Sequence, residues 1–204
     1  RYSMGSIRSM QRSRVRCRKS PPPDGSKRVR VWEKSAINGG EGNSRQLSRH
    51  VPLGSTMFAV IQGSEGRQAH AGFLTARNGR RVLFVADPGQ APRAADVCHA
   101  RPDDTSSFGG CWRQLTLGYN ANPRNNPLGL LPAHAFYPEE IYRRLVDELG
   151  VEQTYILSAG WGLIGAAFLT PNYDITFNPG AEPFRRRAPA DCWADFCMLP
   201  GDTD

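Results

Sequence analysis

Short apolar runs bounded by glycine or proline recur through residues 56–204, and one segment repeats its apolar positions every four residues. Residues 57–62, MFAVIQ, stop at Gly63-Ser64 and predict a buried first strand. Residues 73–76 and 81–86 flank Asn78-Gly79, a strong hairpin signal. The alternative is that only VLFVA is a strand and the earlier piece is loop or helix. Asp87-Pro88-Gly89 reads as a turn. Ser107 fits the N-cap of a helix reaching Leu117, with Trp112 and Leu115 three apart. Residues 119–132 carry four Asn and three Pro in fourteen positions, which predicts a loop.

The four-residue repeat is Ile141, Leu145 and Leu149, widened by Val146, and it predicts a helix over 138–149. Pro138 suits the first helical position, and Glu139 and Glu140 suit the positive end of the helix dipole. Glu139/Arg143 and Glu140/Arg144 have the favourable i,i+4 order, and Gly150 ends the segment. A second buried strand follows at 154–158. Strand, helix, strand with short links argues for an α/β fold, a single domain with a central, largely parallel sheet.

Residues 155–177, YILSAGWGLIGAAFLTPNYDITF, stand out. An apolar run turns at two glycines and ends on Asp174, between Tyr173 and Ile175. No run reaches the ~18–20 apolar residues needed to span a bilayer. The nearest, 156–169, holds three glycines and leads into Thr170-Pro171, as a buried strand and turn would. No membrane partner is expected.

Charge divides the chain. Residues 1–50 hold 13 Lys+Arg against 3 Asp+Glu, a net +10, and residues 51–204 hold 13 against 16, a net −3. The high isoelectric point thus belongs to a basic tail, and the body is mildly acidic. Residues 1–55, rich in Arg, Ser, Gly and Pro, are too poor in apolar periodicity to offset chain entropy and are read as a disordered, low-complexity tail. Such a tail serves as a nonspecific DNA-binding arm, a targeting peptide or an inert extension. Residues 56–204 are the folded domain. The five cysteines, Cys17, Cys98, Cys111, Cys192 and Cys197, are odd in number and form no CxxC, which reads as reduced thiols in a cytoplasmic setting. Scattered histidines and wide cysteine spacing give no metal site, and no cofactor is implied.

Sites in α/β sheets gather in loops at the carboxyl ends of strands. After 154–158 that loop is Ala159-Gly160-Trp161-Gly162. Its glycines, Gly160 and Gly162, let a flat ring approach the backbone, and Trp161 and Tyr173 offer stacking faces. Ser158 offers a hydroxyl. Asp174 has no basic residue from 159 to 183 in sequence, so it reads as an isolated acid fit to act as base, nucleophile or partner of a developing cation. A tight turn with a core tryptophan and a turn-capping Asp is the plain alternative. Asn120 and Asn122 are amides able to read a base or to shape a turn. Arg185-Arg186-Arg187 suits phosphate or plain solvation. GxSxG, P-loop and HExxH signatures are absent.

These residues carry a resemblance. YILSAGWGLI followed by FLTPNYDITF resembles a widespread bacterial group with the pattern LSA-x-x-GL … P-x-YD. It is similar, more distantly, to the peroxide-stress protein family and to the branch of the tRNA-guanine transglycosylase superfamily that works on deazaguanine in DNA. MFAVIQGS, VLFVADP, RPDD, a Trp helix ending in YN and the LP..AFY…Y..L helix occur in the expected order over residues 57–199. Two features depart from the group. Its members usually continue past Leu199, and the basic tail is not shared.

The resemblance implies an antiviral DNA glycosylase that removes a modified base from double-stranded phage DNA and leaves an abasic site. Such chemistry needs base flipping into a pocket and a carboxylate near the oxocarbenium-like sugar. On that reading Asp174 and Asn120 are catalytic, and Gln62, Ser158, Gly160, Trp161, Gly162, Tyr173 and Asn122 bind the base. Arg101, Arg185, Arg186 and Arg187 hold the DNA backbone. Base exchange, as in a transglycosylase, and non-catalytic DNA binding by a stress protein are the competing expectations. The base recognised and the oligomeric state stay open.

Overall fold

The computed structural model describes residues 14–18, 29–35 and 56–200. It mixes strands and helices, consistent with an α/β protein, with the α-helices grouped between residues 112 and 149. The first sheet begins inside the expected tail. β1 (Arg14–Arg18) pairs antiparallel with β2 (Val29–Ser35), which pairs antiparallel with β3 (Thr56–Gln62). The disordered reading of residues 1–55 is corrected at these two segments. VRV and RVRCR alternate apolar and charged residues, a strand period, and β3 offers an edge to β2, which in turn pairs with β1. The rest of that expectation, at 1–13, 19–28 and 36–55, lies outside the described residues, as does the end, 201–204.

The sheet continues through β8 (Thr154–Ser158), β9 (Gly162–Gly165) and β12 (Phe196–Cys197) in the order β1-β2-β3-β8-β9-β12. β3 and β8 run parallel, as the strand–helix–strand pattern predicted, and so do β9 and β12. β8 and β9 are antiparallel because Gly160-Trp161 turns the chain straight back. The sheet is therefore mixed rather than largely parallel: the glycines taken for a ligand loop make a hairpin. Gly162 has φ +86°, and a Cβ there would meet Asp195 and Phe196, so that turn requires glycine.

A second sheet centres on β5 (Arg81–Val85). It pairs antiparallel with β4 (Leu74–Thr75) through Asn78-Gly79, with Gly79 at φ +81°. β6 (Val97–Ala100) and β11 (Tyr173–Asp174) both join β5 in parallel.

α1 (Trp112–Ala121) starts four residues later than its Ser107 cap predicted. Ser106 and Gly110 close a turn instead, the Ser106 N–H donating to the Gly110 carbonyl at 2.8 Å, with Gly109 and Gly110 at φ +89° and +67°. Cys111 takes the cap position, and its N–H donates to Gln114 Oε1 at 3.1 Å. β7 (Leu131–Pro132) pairs with β10 (Leu169–Thr170) and leads into the short α2 (Ala133–Phe136). α3 (Ile141–Leu149) is the predicted amphipathic helix, begun at Ile141 because 138–140 form a turn. It packs on β3 and β8 through buried Tyr142 and Leu145, against the core of Ala59, Ile61, Ile156 and Ile164. Burying a leucine of this kind stabilises by about 1.5–3 kcal/mol. No helix of the described residues is long and apolar enough to cross a membrane.

Candidate functional site

A cleft of about 350 Å³ opens where three loops leave three strands at their carboxyl ends. Gln62 at the end of β3 is followed by Gly63, Ser64 and Glu65, Ala159 follows β8, and residues 175–178 follow β11. The volume falls in the range of small-ligand clefts, ~300–1,000 Å³. This is where α/β proteins collect ligands.

Glu65 supplies the carboxylate of this cleft. Its Oε1 accepts the Thr176 hydroxyl at 2.8 Å. Hydrogen bonding from Thr176, then from the Asn178 side chain, holds its carboxyl below the usual glutamate value, and the charges of Arg185 and Arg67 act in the same direction. Glu65 is thus ionised at neutral pH. The Gln62 and Asn178 amides lie on the same lining, and Phe177, 39% exposed, presents a ring beside them.

Arg67 ties two of the loops together. Its guanidinium lies 4.1 Å from the Tyr173 ring centroid and donates to the carbonyls of Ser64, Gly66 (2.9 Å) and Ile175 (3.1 Å). Beneath it the Tyr137 and Tyr173 hydroxyls meet at 2.6 Å, and Ser158 donates to Tyr173 at 2.9 Å. Full burial, then the neighbouring Tyr173, pushes the Tyr137 phenol well above its ordinary value, so it stays neutral. Gly63 admits this pair: a Cβ there would lie 2.5 Å from the Tyr137 oxygen.

The loop after β8 is held from both sides. The Ser158 hydroxyl accepts the N–H groups of Gly160 and Trp161 at 3.3 and 3.2 Å. Two arginines take the carbonyls. Arg187 donates to Ala159 at 3.1 Å, and Arg113 donates to Gly160 at 3.2 Å and Trp161 at 3.1 Å. Arg113, whose side chain is 3% exposed, pairs with Asp103 at 2.5 Å and lies 3.6 Å from Asp195. Arg187 pairs with Asp195 at 2.6 Å and covers the Trp193 ring.

The predicted site residues therefore separate. Gln62 lines the cleft. Ser158, Gly160, Trp161, Gly162 and Tyr173 are buried. Trp161 and Tyr173 are not stacking walls: Trp161 sits edge-on to Phe84 and stacked on Phe196, and Tyr173 stacks on Phe136. Both form the bed beneath the loops. Asn120 bonds the N–H and carbonyl of Leu169 at 2.7 and 3.0 Å and pins β10 to α1. Asn122 is the exposed C-cap residue of α1. Neither lines the cleft.

Asp174 is not isolated. Arg185 Nε donates to it at 2.7 Å, because the chain doubles back: Thr176 N–H donates to Arg185 O, and Arg187 N–H to Thr176 O. The pairing residue lies two positions past the acid-only window in sequence. Of the arginines expected on DNA, Arg185 is paired to Asp174 and Glu182, Arg187 is built into the loop, and Arg101 and Arg186 are exposed with bonds to backbone carbonyls.

Glu65, Arg67, Thr176, Phe177 and Asn178 escaped sequence reasoning. The rule applied to the loop after β8 also picks out Glu65, the first acid after β3. No group of three metal-ligating side chains is found among the described residues, and the described cysteines are unpaired. Comparison with family models, curated proteins and solved structures gives no match, so the site is read from its own residues.

Proposed function

We propose that the protein is an N-glycosidic bond hydrolase that removes a modified base from DNA, with the cleft at Glu65 as its active site and viral DNA as its target. What supports the reading is one juxtaposition: an ionised carboxylate, two amides and an exposed aromatic ring share one cleft of small-ligand size. A flipped base needs a stacking face, supplied by Phe177, and groups that both donate and accept, supplied by Gln62 and Asn178.

Breaking the C1′–N bond leaves the electron pair on the base nitrogen, which takes up a proton. Positive charge builds on the sugar, where the Glu65 carboxylate stabilises it. Water adds to C1′ and gives up its proton towards Glu65, leaving an abasic sugar and a free base. Thr176 orients the carboxylate, and Arg67 and the Asp174–Arg185 pair hold the loops on either side. Arg186 and Arg101 remain as exposed cations for the phosphate backbone.

The test incubates the full chain with hypermodified phage DNA and with unmodified DNA, scoring free base and abasic sites. Release from the modified DNA, cut at least ~100-fold in Glu65→Gln, is expected. Binding without release from either DNA would overturn the hydrolase reading in favour of a non-catalytic DNA-binding protein. Incorporation of a labelled free base without abasic sites would replace hydrolysis with base exchange.

A further inference from the structure

A second cleft, of about 580 Å³, lies away from Glu65, between the β4–β5 turn, β6 and the loop before α1. Its floor is apolar, made by the buried Ala76, Ala100 and Trp112. Beside it stands Phe108, 51% exposed. An exposed large ring on a mobile tip would mean little, but this tip is braced. Ser106 N–H bonds Gly110 O, the Ser106 hydroxyl donates to Gly109 O at 3.0 Å, and Phe108 N–H donates to the Ser106 hydroxyl at 3.1 Å. The neighbouring Ser107 hydroxyl accepts Arg77 N–H at 2.8 Å, fixing the two loops together. The Arg77 guanidinium lies 5.7 Å from the Phe108 ring centroid and has no acidic partner among the described residues.

The polar groups of the lining are mixed. The His99 ring has no hydrogen-bond partner among the described residues, and burial, then the charge of Arg80, holds it below the ordinary histidine value and so neutral, a donor and an acceptor together. Asp104 accepts Arg101 N–H through Oδ2 at 2.7 Å and keeps Oδ1 as an acceptor. An apolar floor, a braced ring, mixed donors and acceptors and one guanidinium without an acidic partner among the described residues match the chemistry of a heteroaromatic base carrying a phosphate.

We infer that the cleft beside Phe108 is a nucleotide site, with the base over the Ala76–Ala100–Trp112 floor and the phosphate on Arg77. The nucleotide comes from one of two sources, free in solution or within a DNA strand. Asp103, next to Asp104, pairs with Arg113, which holds the Gly160 and Trp161 carbonyls beside Ala159 of the first cleft.

The test is calorimetric titration of the full chain with the unmodified deoxynucleoside monophosphates and, separately, with a six-nucleotide single strand. Variants are Phe108→Ala, Arg77→Ala and the conservative Phe108→Tyr. Phe108 and Arg77 are exposed, so the fold survives all three. Weakening by about tenfold or more in Phe108→Ala and Arg77→Ala, with Phe108→Tyr near wild type, is expected. Loss on the monophosphates assigns a free nucleotide, and loss on the strand alone assigns a base within DNA. Unchanged affinity for both ligands in both alanine variants, or no binding of either ligand to wild type, overturns the site. The readout is binding, so a failure to release base leaves it standing.

Discussion

The loop after β3 and the loop after β8 leave parallel neighbours and meet opposite fates. The β8 loop is apolar and glycine-punctuated, and its N–H and C=O groups are consumed by Ser158, Arg113 and Arg187. The β3 loop is short and polar, with few signals in its letters, and it presents Glu65 to the cleft. Apolar density marked the support and missed the surface. A side chain that meets a ligand must stay solvated, so it leaves little trace in a hydrophobic pattern.

The largest effect expected from breaking this contrast falls on the support. Arg113→Ala leaves the buried Gly160 and Trp161 carbonyls without their donor and the partly exposed Asp103 carboxylate without its cation, and a loss of about 1–3 kcal/mol per carbonyl is expected, read by urea unfolding. A change under ~1 kcal/mol would show the β8 loop to be held by packing alone. Gly63→Ala drives a methyl into the Tyr137 hydroxyl and should cost about 1–3 kcal/mol, whereas Gly165→Ala, with open space around it, should stay within ~0.5 kcal/mol.

On the presenting side, Phe177→Ala should leave stability within ~0.5 kcal/mol and weaken the base-bearing DNA by about 1–3 kcal/mol in a binding titration. Equal losses in both readouts would make Phe177 a packing residue. Thr176→Val is the mildest change. It removes the bond that holds the Glu65 carboxyl down. Because the folded value is depressed, wild type keeps this contribution above the ordinary glutamate value of 4.5 and loses it as pH falls through the lower folded value. In Thr176→Val the acid limb of the activity profile should move to higher pH. A limb that stays put would separate Glu65 from the rate.

Much of the fold was legible. Asn78-Gly79 marked its hairpin because a two-residue turn needs positive φ, and Ile141, Leu145 and Leu149 marked α3 because one helix face is buried. Three features were not. The helix before Asn122 begins at Trp112, capped by Cys111, because the Ser106–Gly110 turn competes for the cap. Gly160-Trp161 was read as a ligand loop, yet the same residue types make the β8–β9 hairpin. Asp174 was read as isolated because its partner arrives through a doubling back of residues 174–187 that no local signal records. Of the residues expected to bind the base, Gln62 alone lines the cleft. Glu65, Thr176 and Asn178 come together only when strands from two sheets end side by side.

The most direct test of the contrast compares two carboxylates. Single-turnover base release from hypermodified DNA would be followed for Glu65→Gln and Asp174→Asn at saturating protein. Glu65→Gln should fall at least ~100-fold, and Asp174→Asn, which acts only through Arg185, should fall much less. A Glu65→Gln enzyme at the wild-type rate beside an inactive Asp174→Asn would return the chemistry to the strand that carries Tyr173 and Asp174, and would contradict the assignment of the cleft.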